Sequence, residues 1–310
     1  MLLLIILAIG CERTQPSPLR VGSSVWPGYE PLFLARQLGQ FDHSPIKLVE
    51  YQSASEVLEA FYEEQIEVAA LTLDEAISLI ENGIDLRIVL VMDFSNGADA
   101  LIAKPDIASI EGLQGKRVAV EFNAVGGLVL TSALETAQLT PRDVNVVHAS
   151  AGEHLDQFPS VDAVVCFEPT ASKLVKQGGR RLFDSRQIPE MIVNVLVVRT
   201  QTLISHQSAL TALVNGFFVA RHNLIEAPEE AYPLINARLN LAPDQMSPVF
   251  QRLRLPDAKD NRDLLQQEAP QLLETAAKLT TYMVKKRLLR HEIDLSDLTT
   301  AAFIPLTLPE

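Results

Sequence analysis

The sequence predicts an α/β protein made of two doubly wound lobes with a cleft between them, and three observations lead to this fold class. From residue 18 onward, short β-rich runs alternate with helical patterns, which is typical of parallel strands joined by helical crossovers. The same alternation starts again after residue 97. The chain has 310 residues, which exceeds the usual size of one domain.

The first α/β set has four β-rich runs with helical patterns between them. A capping-box spacing from Ser53 to Glu56 marks the start of one helix, and Gly83 suits the end of another. The predicted strands cover residues 19–23, 46–51, 68–73 and 86–92, and helices are predicted to begin near residues 31, 53 and 74.

The second set repeats the pattern, with strands predicted over residues 98–104, 117–121, 144–148 and 161–167 and helices over 128–138 and 170–177. A last β-rich run covers residues 193–199, and residues 202–283 are helical in pattern without strands of their own. We expect these helices to pack on the first lobe. Lobe 1 is then formed by residues 18–97 and 195–310 and lobe 2 by residues 98–194, with two crossovers between them.

Residues 1–10 are uncharged and almost wholly apolar, and they end at Cys11 before a polar stretch. Ten residues span only about 15 Å as a helix, half of a bilayer core, which fits a signal peptide better than a membrane span. Ala8 to Cys11 resembles a bacterial lipobox, although Ala8 stands where Leu is usual and no basic residue precedes the apolar run. We expect a signal peptide over residues 1–10 and lipidation of Cys11; a buried first strand with a core cysteine is the alternative.

The overall charge argues against nucleic acid as a partner. A formal charge of −13 and an isoelectric point near 5.0 repel phosphate backbones. The second cysteine, Cys166, lies in an apolar run and is predicted to be an inert core thiol. The six histidines show no metal-ligand spacing, so neither a metal nor a cofactor is expected.

Several short motifs together carry a family resemblance. They are WPGYEPLFLA at residues 26–35, LG at 38–39, IEGLQGKRVAV at 110–120, VDA at 161–163 and FEP at 167–169. In order and spacing they resemble the substrate-binding proteins of ABC importers for nitrate, sulfonates, taurine and pyrimidine precursors of thiamine. The resemblance implies a periplasmic-binding-protein fold of the two-crossover type, a monomer in the cell envelope, and docking of the closed protein to an ABC permease.

Ligands of open parallel sheets lie outside the carboxyl ends of the strands, so the residues that follow each predicted strand are candidates for the cleft. These candidates are Ser24, Trp26, Tyr29, Gln52, Thr72, Asp74, Asp93 and Asn96 in the first set, and Glu121, Asn123, Gly126, Gly127, Ser150 and Glu168 in the second.

The aromatic and glycine candidates each have a structural alternative. Trp26 follows the first strand in a Pro-Gly turn, where it can present a ring to a ligand or pack a loop. Tyr29 can form a second aromatic wall or start a packed helix. Gly126 and Gly127 precede an apolar helix, whose exposed amides can accept an oxygen atom, but glycines there can also simply permit a turn.

The acidic candidates determine which class of ligand the sequence predicts. Asp74, Asp93, Glu121 and Glu168 follow strands, whereas a sulfonate or nitrate would need basic residues there, and only His148 is present. Asp74 can instead cap a helix, and Glu168 can hold a turn. Together with Trp26 and Tyr29, the acids predict a pyrimidine-like or cationic amine ligand.

Two other function classes stay open. A binding protein of the same fold can report its ligand to a membrane receptor as a sensory subunit. Pyrimidine synthases of thiamine biosynthesis are similar to these binding proteins, but they use a cysteine-rich iron-binding segment, and this chain has two cysteines. We therefore expect a protein that binds and does not catalyse.

Overall fold

The computed structural model describes residues 17–122, 125–266 and 271–307. The expected signal peptide, Cys11 and the candidate Asn123 lie outside these ranges. The described strands, in chain order, are β1 (Leu19–Ser23), β2 (Ile46–Glu50), β3 (Val68–Thr72), β4 (Leu86–Ser95), β5 (Asp99–Ala103), β6 (Arg117–Val120), β7 (Asn145–His148), β8 (Ala163–Phe167), β9 (Arg180–Asp184), β10 (Val193–Arg199) and β11 (Leu253–Arg254).

The strands form two sheets, one of six and one of five strands. The first has the order β11-β4-β10-β3-β1-β2 and the second the order β7-β6-β8-β5-β9. β3 and β10 are buried along their whole length, which is why their sequences are almost continuously apolar rather than alternating.

Parallel pairing holds only in part of each sheet. β1 pairs in parallel with β2 and β3, and β6 pairs in parallel with β7 and β8. β10 runs antiparallel to β3 and β4, and β5 runs antiparallel to β8 and β9. Both antiparallel strands enter their sheet directly from the other lobe instead of through a helical crossover, so the right-handed crossover rule for parallel strands does not apply to them.

Two strands were not expected from the sequence. β9 is an edge strand of the second sheet whose charged first residues gave no clear alternation. β11 has two residues and lies in the segment that was predicted to be helical only. It forms because the chain passes along the free edge of β4 at Phe94 and Ser95, a contact that no local pattern specifies.

Helices cover both sheets. They are α1 (Glu30–Gln37), α2 (Ala54–Tyr62), α3 (Leu73–Glu81), α4 (Val125–Glu135), α5 (His154–Gln157), α6 (Thr170–Lys176), α7 (Thr202–Ser205), α8 (Gln207–Glu226), α9 (Pro228–Leu239), α10 (Pro243–Phe250), α11 (Ala258–Leu265) and α12 (Gln271–Lys285).

The C-terminal helices pack on the first sheet and its helices. α8 and α9 contact α1, α11 contacts β4, and α12 contacts α3. In the described residues, no helix is both long enough and apolar enough to span a membrane.

The chain passes between the sheets twice, after β4 and before β10. The two passages are tied together, because Ser95 Oγ lies 2.8 Å from Ser185 Oγ and the Gly97 amide donates to Ser185 Oγ at 2.6 Å. Gly97 has a φ of +104°, a conformation that side-chain-bearing residues rarely adopt. The sequence placed the start of the second segment of lobe 1 at residue 195. Val193 and Asn194 already belong to β10 of the first sheet, so this segment begins two residues earlier.

Candidate functional site

Two small adjoining cavities lie between the sheets, with volumes of about 30 and 20 Å³. Volumes of this size hold about one water molecule each, so the two lobes are closed on each other. The lining residues that both cavities share come from both lobes and are Ala54, Asp99, Val125 and Phe167. A ligand must therefore enter when the lobes part.

Aromatic rings form one wall of the larger cavity. Trp26 and Tyr29 are buried, and their ring centroids lie 6.4 Å apart. Phe167 approaches Trp26 from lobe 2 at 5.7 Å with an interplanar angle of 77°. Trp26 and Phe167 thus approach the cavity from opposite sides of the cleft.

A chain of hydrogen bonds holds the two lobe 1 rings. Trp26 Nε1 donates to Asp93 Oδ2 at 2.9 Å, and Asn194 Nδ2 donates to Asp93 Oδ1 at 2.9 Å. The Tyr29 hydroxyl donates to Asn194 Oδ1 at 2.8 Å. Gly28 makes this possible, because a Cβ atom there would lie only 1.8 Å from Asp93 Oδ2.

Burial and hydrogen bonding act in opposite directions on the Asp93 carboxyl. Burial raises its pKa to about 7, against the lowering effect of the hydrogen bonds from Trp26 and Asn194. Burial also raises the pKa of Tyr29 well above its ordinary value, so this hydroxyl keeps its proton for Asn194.

The first turn of α3 brings two more acids to the cleft. Glu75 accepts the Thr72 amide through Oε2 at 2.8 Å, as in a capping box, and lines the larger cavity. Its Oε1 and Asp74 Oδ1 are buried without a hydrogen-bond partner among the described residues. Burial raises the pKa of Asp74, and burial together with the charge of Asp74 raises the pKa of Glu75 to about 8.

Lobe 2 contributes Asp99, which lines both cavities. Its Oδ2 has no partner within the described part of the chain, and burial raises its pKa to about 7. In the smaller cavity, Asp99 is joined by Glu121, His154 and Cys166. The described residues that line the two cavities include no Lys and no Arg.

Glu121 links the lobes. Its Oε1 accepts from the Ser55 amide at 3.1 Å and also from the Ser55 hydroxyl, in the first turn of α2. Its Oε2 accepts from the Ala151 amide at 3.1 Å in lobe 2. A lobe 2 carboxylate thus caps a lobe 1 helix in the closed protein.

Glu168 lies outside both cavities, although it was predicted to bind ligand. Its carboxylate lies 3.1 Å from Arg181 Nη2 and 3.6 Å from Arg252 Nη1, and it accepts the Ser172 amide at 2.9 Å. Because these partners occupy its oxygens, Glu168 is a member of a buried structural ion pair and is not available to a ligand.

The other predicted site residues fall into two groups. Ser24, Trp26, Tyr29, Thr72, Glu121 and Gly126 line a cavity, whereas Asp74 and Asp93 are buried and line neither, although Asp93 is bonded to lining residues. Gln52 and Asn96 are exposed, and Ser150 starts the next turn, where Glu153 Oε2 accepts from its amide and its hydroxyl. Gly127 is tightly packed, because a Cβ atom there would lie 2.6 Å from Phe122 O.

The residues of the cleft that sequence reasoning missed include Glu75, Asp99, Phe167 and Asn194. Asp99 and Asn194 have a common cause. They stand at the beginning of β5 and β10, and because these strands are antiparallel to their neighbours, their first residues lie beside the carboxyl ends of β8 and β3. A rule based on residues that follow strands cannot select them.

The sequence expectation for Cys166 agrees with its burial, and burial raises the pKa of its thiol. His154 is also buried, its Nε2 lies 3.2 Å from the Ala149 carbonyl oxygen, and burial lowers its pKa. The described residues contain no group of three His, Cys, Asp or Glu side chains that could hold a metal ion.

Known proteins share this fold. The taurine-binding periplasmic protein of Escherichia coli (strain K12) is 22% identical over 184 residues, which is 58% of this chain and 57% of that relative's length. The alkanesulfonate-binding protein of Xanthomonas axonopodis pv. citri, solved bound to MOPS, superposes with a TM-score of 0.73 at 18% identity over 89% of this chain and 95% of the other.

A desulfurization enzyme also superposes, with a TM-score of 0.66 at 18% identity over 93% of this chain and 97% of the other. At these identities the structural matches show a fold of the periplasmic-binding-protein type, as the sequence predicted. The family model described as NMT1/THI5 like matches residues 26–231, two thirds of the chain and most of the cleft. The chain therefore belongs to the NMT1/THI5-like family.

Proposed function

We propose that this chain is the extracytoplasmic substrate-binding subunit of an ABC importer. The family match, the two-lobed fold and a closed cleft lined by residues of both lobes support this function. Such a protein binds its ligand in the open form and closes around it, and the closed form is what the membrane permease recognises.

The ligand is a small molecule that carries amino groups, either a pyrimidine-like ring or a cationic amine. The observation that carries this proposal is the pair of unpartnered carboxylate oxygens on Glu75 and Asp99, in cavities whose described lining has no Lys or Arg. Carboxylates accept hydrogen bonds from N–H groups, and Trp26 and Phe167 offer faces or edges for a flat ring.

This lining differs from what an anion requires. Unlike charges about 4 Å apart attract by roughly 4 kcal/mol at an effective dielectric constant of about 20, and like charges repel equally. A sulfonate or nitrate placed beside the ionised forms of Glu75 and Asp99 therefore meets repulsion, whereas a cation stabilises those forms against the burial that raises their pKa. The specificity of the taurine- and sulfonate-binding relatives is not carried over to this chain.

A thermal-shift panel tests the ligand class. Aminopyrimidines and small amines should raise the melting temperature, by roughly 2–4 °C for each 1 kcal/mol of stabilisation in a protein of this size. Taurine, alkanesulfonates and nitrate should leave it unchanged. A shift with the anions and none with the amines would overturn the proposed ligand class.

The protein acts by binding and not by catalysis in this proposal, although a desulfurization enzyme shares the fold. The nucleophile candidate in the cavities, Cys166, has a raised thiol pKa, which disfavours the reactive thiolate. The Ala149 carbonyl oxygen occupies Nε2 of His154, and burial disfavours its charged form.

The setting of the protein follows from the same proposal. It is a monomer in the cell envelope, anchored to a membrane through lipidated Cys11, and its partners are the small-molecule ligand and an ABC permease. The charge of −13 supports the absence of nucleic acid from these partners.

A further inference from the structure

Acidic side chains from both lobes meet at the cleft: Glu75 and Asp99 line the same cavity, and Asp74 is buried next to Glu75 in the chain. Asp74 and Glu75 stand at the start of α3 in lobe 1, and Asp99 and Glu121 lie in lobe 2. They are close enough to influence one another, because the charge of Asp74 contributes to the raised pKa of Asp99 and the charge of Glu121 contributes to that of Glu75. Closing the lobes brings like charges together.

The closed cleft has nothing among its described residues to neutralise three of these groups. Asp74, Glu75 and Asp99 are 5%, 2% and 3% exposed, and each has one oxygen without a hydrogen-bond partner in the described chain. Glu121 differs, because the Ser55 and Ala151 amides already bind its oxygens. Burying an ionised carboxylate without a partner is strongly unfavourable.

The surrounding charged and titratable groups do not remove this cost. On the lobe 1 side the neighbours are Asp93 of β4 and Tyr29, which are committed to Asn194 and Trp26. On the lobe 2 side His154 contacts Ala149, Cys166 is a buried thiol, and Arg181 and Arg252 pair with Glu168. Arg181 lowers the pKa of Asp99, but its effect is the smallest of those named, and the pKa is still raised.

We propose that the cleft closes only when positive charge is supplied between Asp74 and Glu75 on one lobe and Asp99 on the other. At neutral pH that charge is a cationic ligand, and in mildly acidic solution protons on the carboxyls replace it. The inference rests on the proposed function for the identity of the cleft, and it narrows the ligand of that function to a molecule that carries a positive charge when bound.

The direction of the pH effect follows from the two states. In the closed form burial raises the pKa of Asp99 to about 7 and that of Glu75 to about 8, whereas we expect an open form to solvate these carboxyls and return them toward their ordinary pKa of about 4. Closure without ligand therefore takes up protons between about pH 4 and pH 8. Each proton taken up shifts the open-to-closed ratio by about tenfold per pH unit in that range.

Small-angle scattering of the ligand-free protein at a series of pH values from 8 to 5.5 tests this mechanism. The radius of gyration of the wild type should fall as the pH falls. The double variant Asp99→Asn, Glu75→Gln should be compact already at pH 8 with little pH dependence, since the amide oxygen of the introduced glutamine can still accept the Thr72 amide. The double variant Asp106→Asn, Glu59→Gln changes two exposed acids and should behave as the wild type.

A wild-type radius that stays constant over this range overturns the proposal, whatever the variants do. The proposal is also overturned if the radius of gyration of Asp99→Asn, Glu75→Gln depends on pH as that of the wild type does, while circular dichroism shows that the variant is folded. The proposed function fails separately: it fails if amines do not bind at pH 8 although the ligand-free protein closes in acid. Amine binding without any pH-dependent closure refutes only the charge-controlled closure.

Discussion

The indole nitrogen of Trp26 and the side-chain amide of Asn194 donate to opposite oxygens of one buried carboxyl group, that of Asp93, each at 2.9 Å. Asn194 in turn accepts from the Tyr29 hydroxyl, so one acid fixes both lobe 1 rings of the cleft. Asp93 lies behind the cavity and not in its lining, which makes it a positioning residue for the aromatic wall.

Asp93→Asn should weaken ligand binding without removing a ligand contact. One of the two donors, from Trp26 or Asn194, then faces an amide NH₂ and is left buried without an acceptor, at a cost of about 1–3 kcal/mol. We expect the Kd for the amine found in the thermal-shift panel to rise about tenfold or more by calorimetry. Asp106→Asn, which changes an exposed acid in lobe 2, is the control, and an equal Kd in both variants would contradict the positioning role.

Ligand binding should reduce the radius of gyration of the protein at pH 8. The two lobes are joined by the passages at Ser95 to Gly97 and near Ser185, and the closed state described here leaves cavities of only about 30 and 20 Å³. We expect the open, ligand-free protein to be larger. Scattering with and without a saturating amine measures the difference, with nitrate at the same ionic strength as the control; equal radii would argue against a moving hinge.

Arg238 should matter for stability in a pH-dependent way. Its Nε donates to the fully buried Glu30 at 3.0 Å, and burial still raises the pKa of Glu30 to about 7. Arg238→Met leaves this carboxyl unpaired, with an expected loss of about 3 kcal/mol. Since Glu30 in the unfolded chain ionises near its ordinary pKa of about 4, the folded state binds the extra proton, and the loss should grow as pH rises through 7.

Thermal unfolding of Arg238→Met at pH 6 and pH 8 measures this effect. The double variant Glu30→Gln, Arg238→Met has no buried unpaired charge, since the other partner of Arg238, Glu50, is partly exposed, and it should recover much of the stability at pH 8. If it is no more stable there than Arg238→Met, the loss comes from the contacts of Arg238 with Phe33 and Glu50 rather than from the Glu30 carboxylate.

Cys11→Ser should move the protein from the membrane fraction to the soluble fraction, because the apolar residues 1–10 ending at Cys11 fit a lipidated export signal. Fractionation of cells expressing both forms, followed by mass determination of the mature protein, measures this. A wild-type protein found in the soluble fraction with Met1 retained would rule out the export signal.

The sequence by itself determined the alternating α/β architecture, because apolar periodicity and turn residues act locally. The strand at residues 19–23 was predicted with its final bounds, and that at 193–199 likewise. Ser53 caps α2 by accepting the Glu56 amide, as its spacing indicated, although the Glu56 side chain accepts the amide of Gln52 instead of that of Ser53.

The tertiary structure alone decided which acids face the cleft. Asp99 and Asn194 reach it because β5 and β10 run against their neighbours, and strand direction depends on how the chain passes between lobes rather than on local residues. Glu168 follows a strand as Glu121 does, yet Arg181 and Arg252, 13 and 84 residues further along the chain, neutralise it. Such long-range ion pairs decide which carboxylates of the cleft remain unpaired. The energy of an ion pair depends on distance and burial, and neither can be derived from the local sequence pattern.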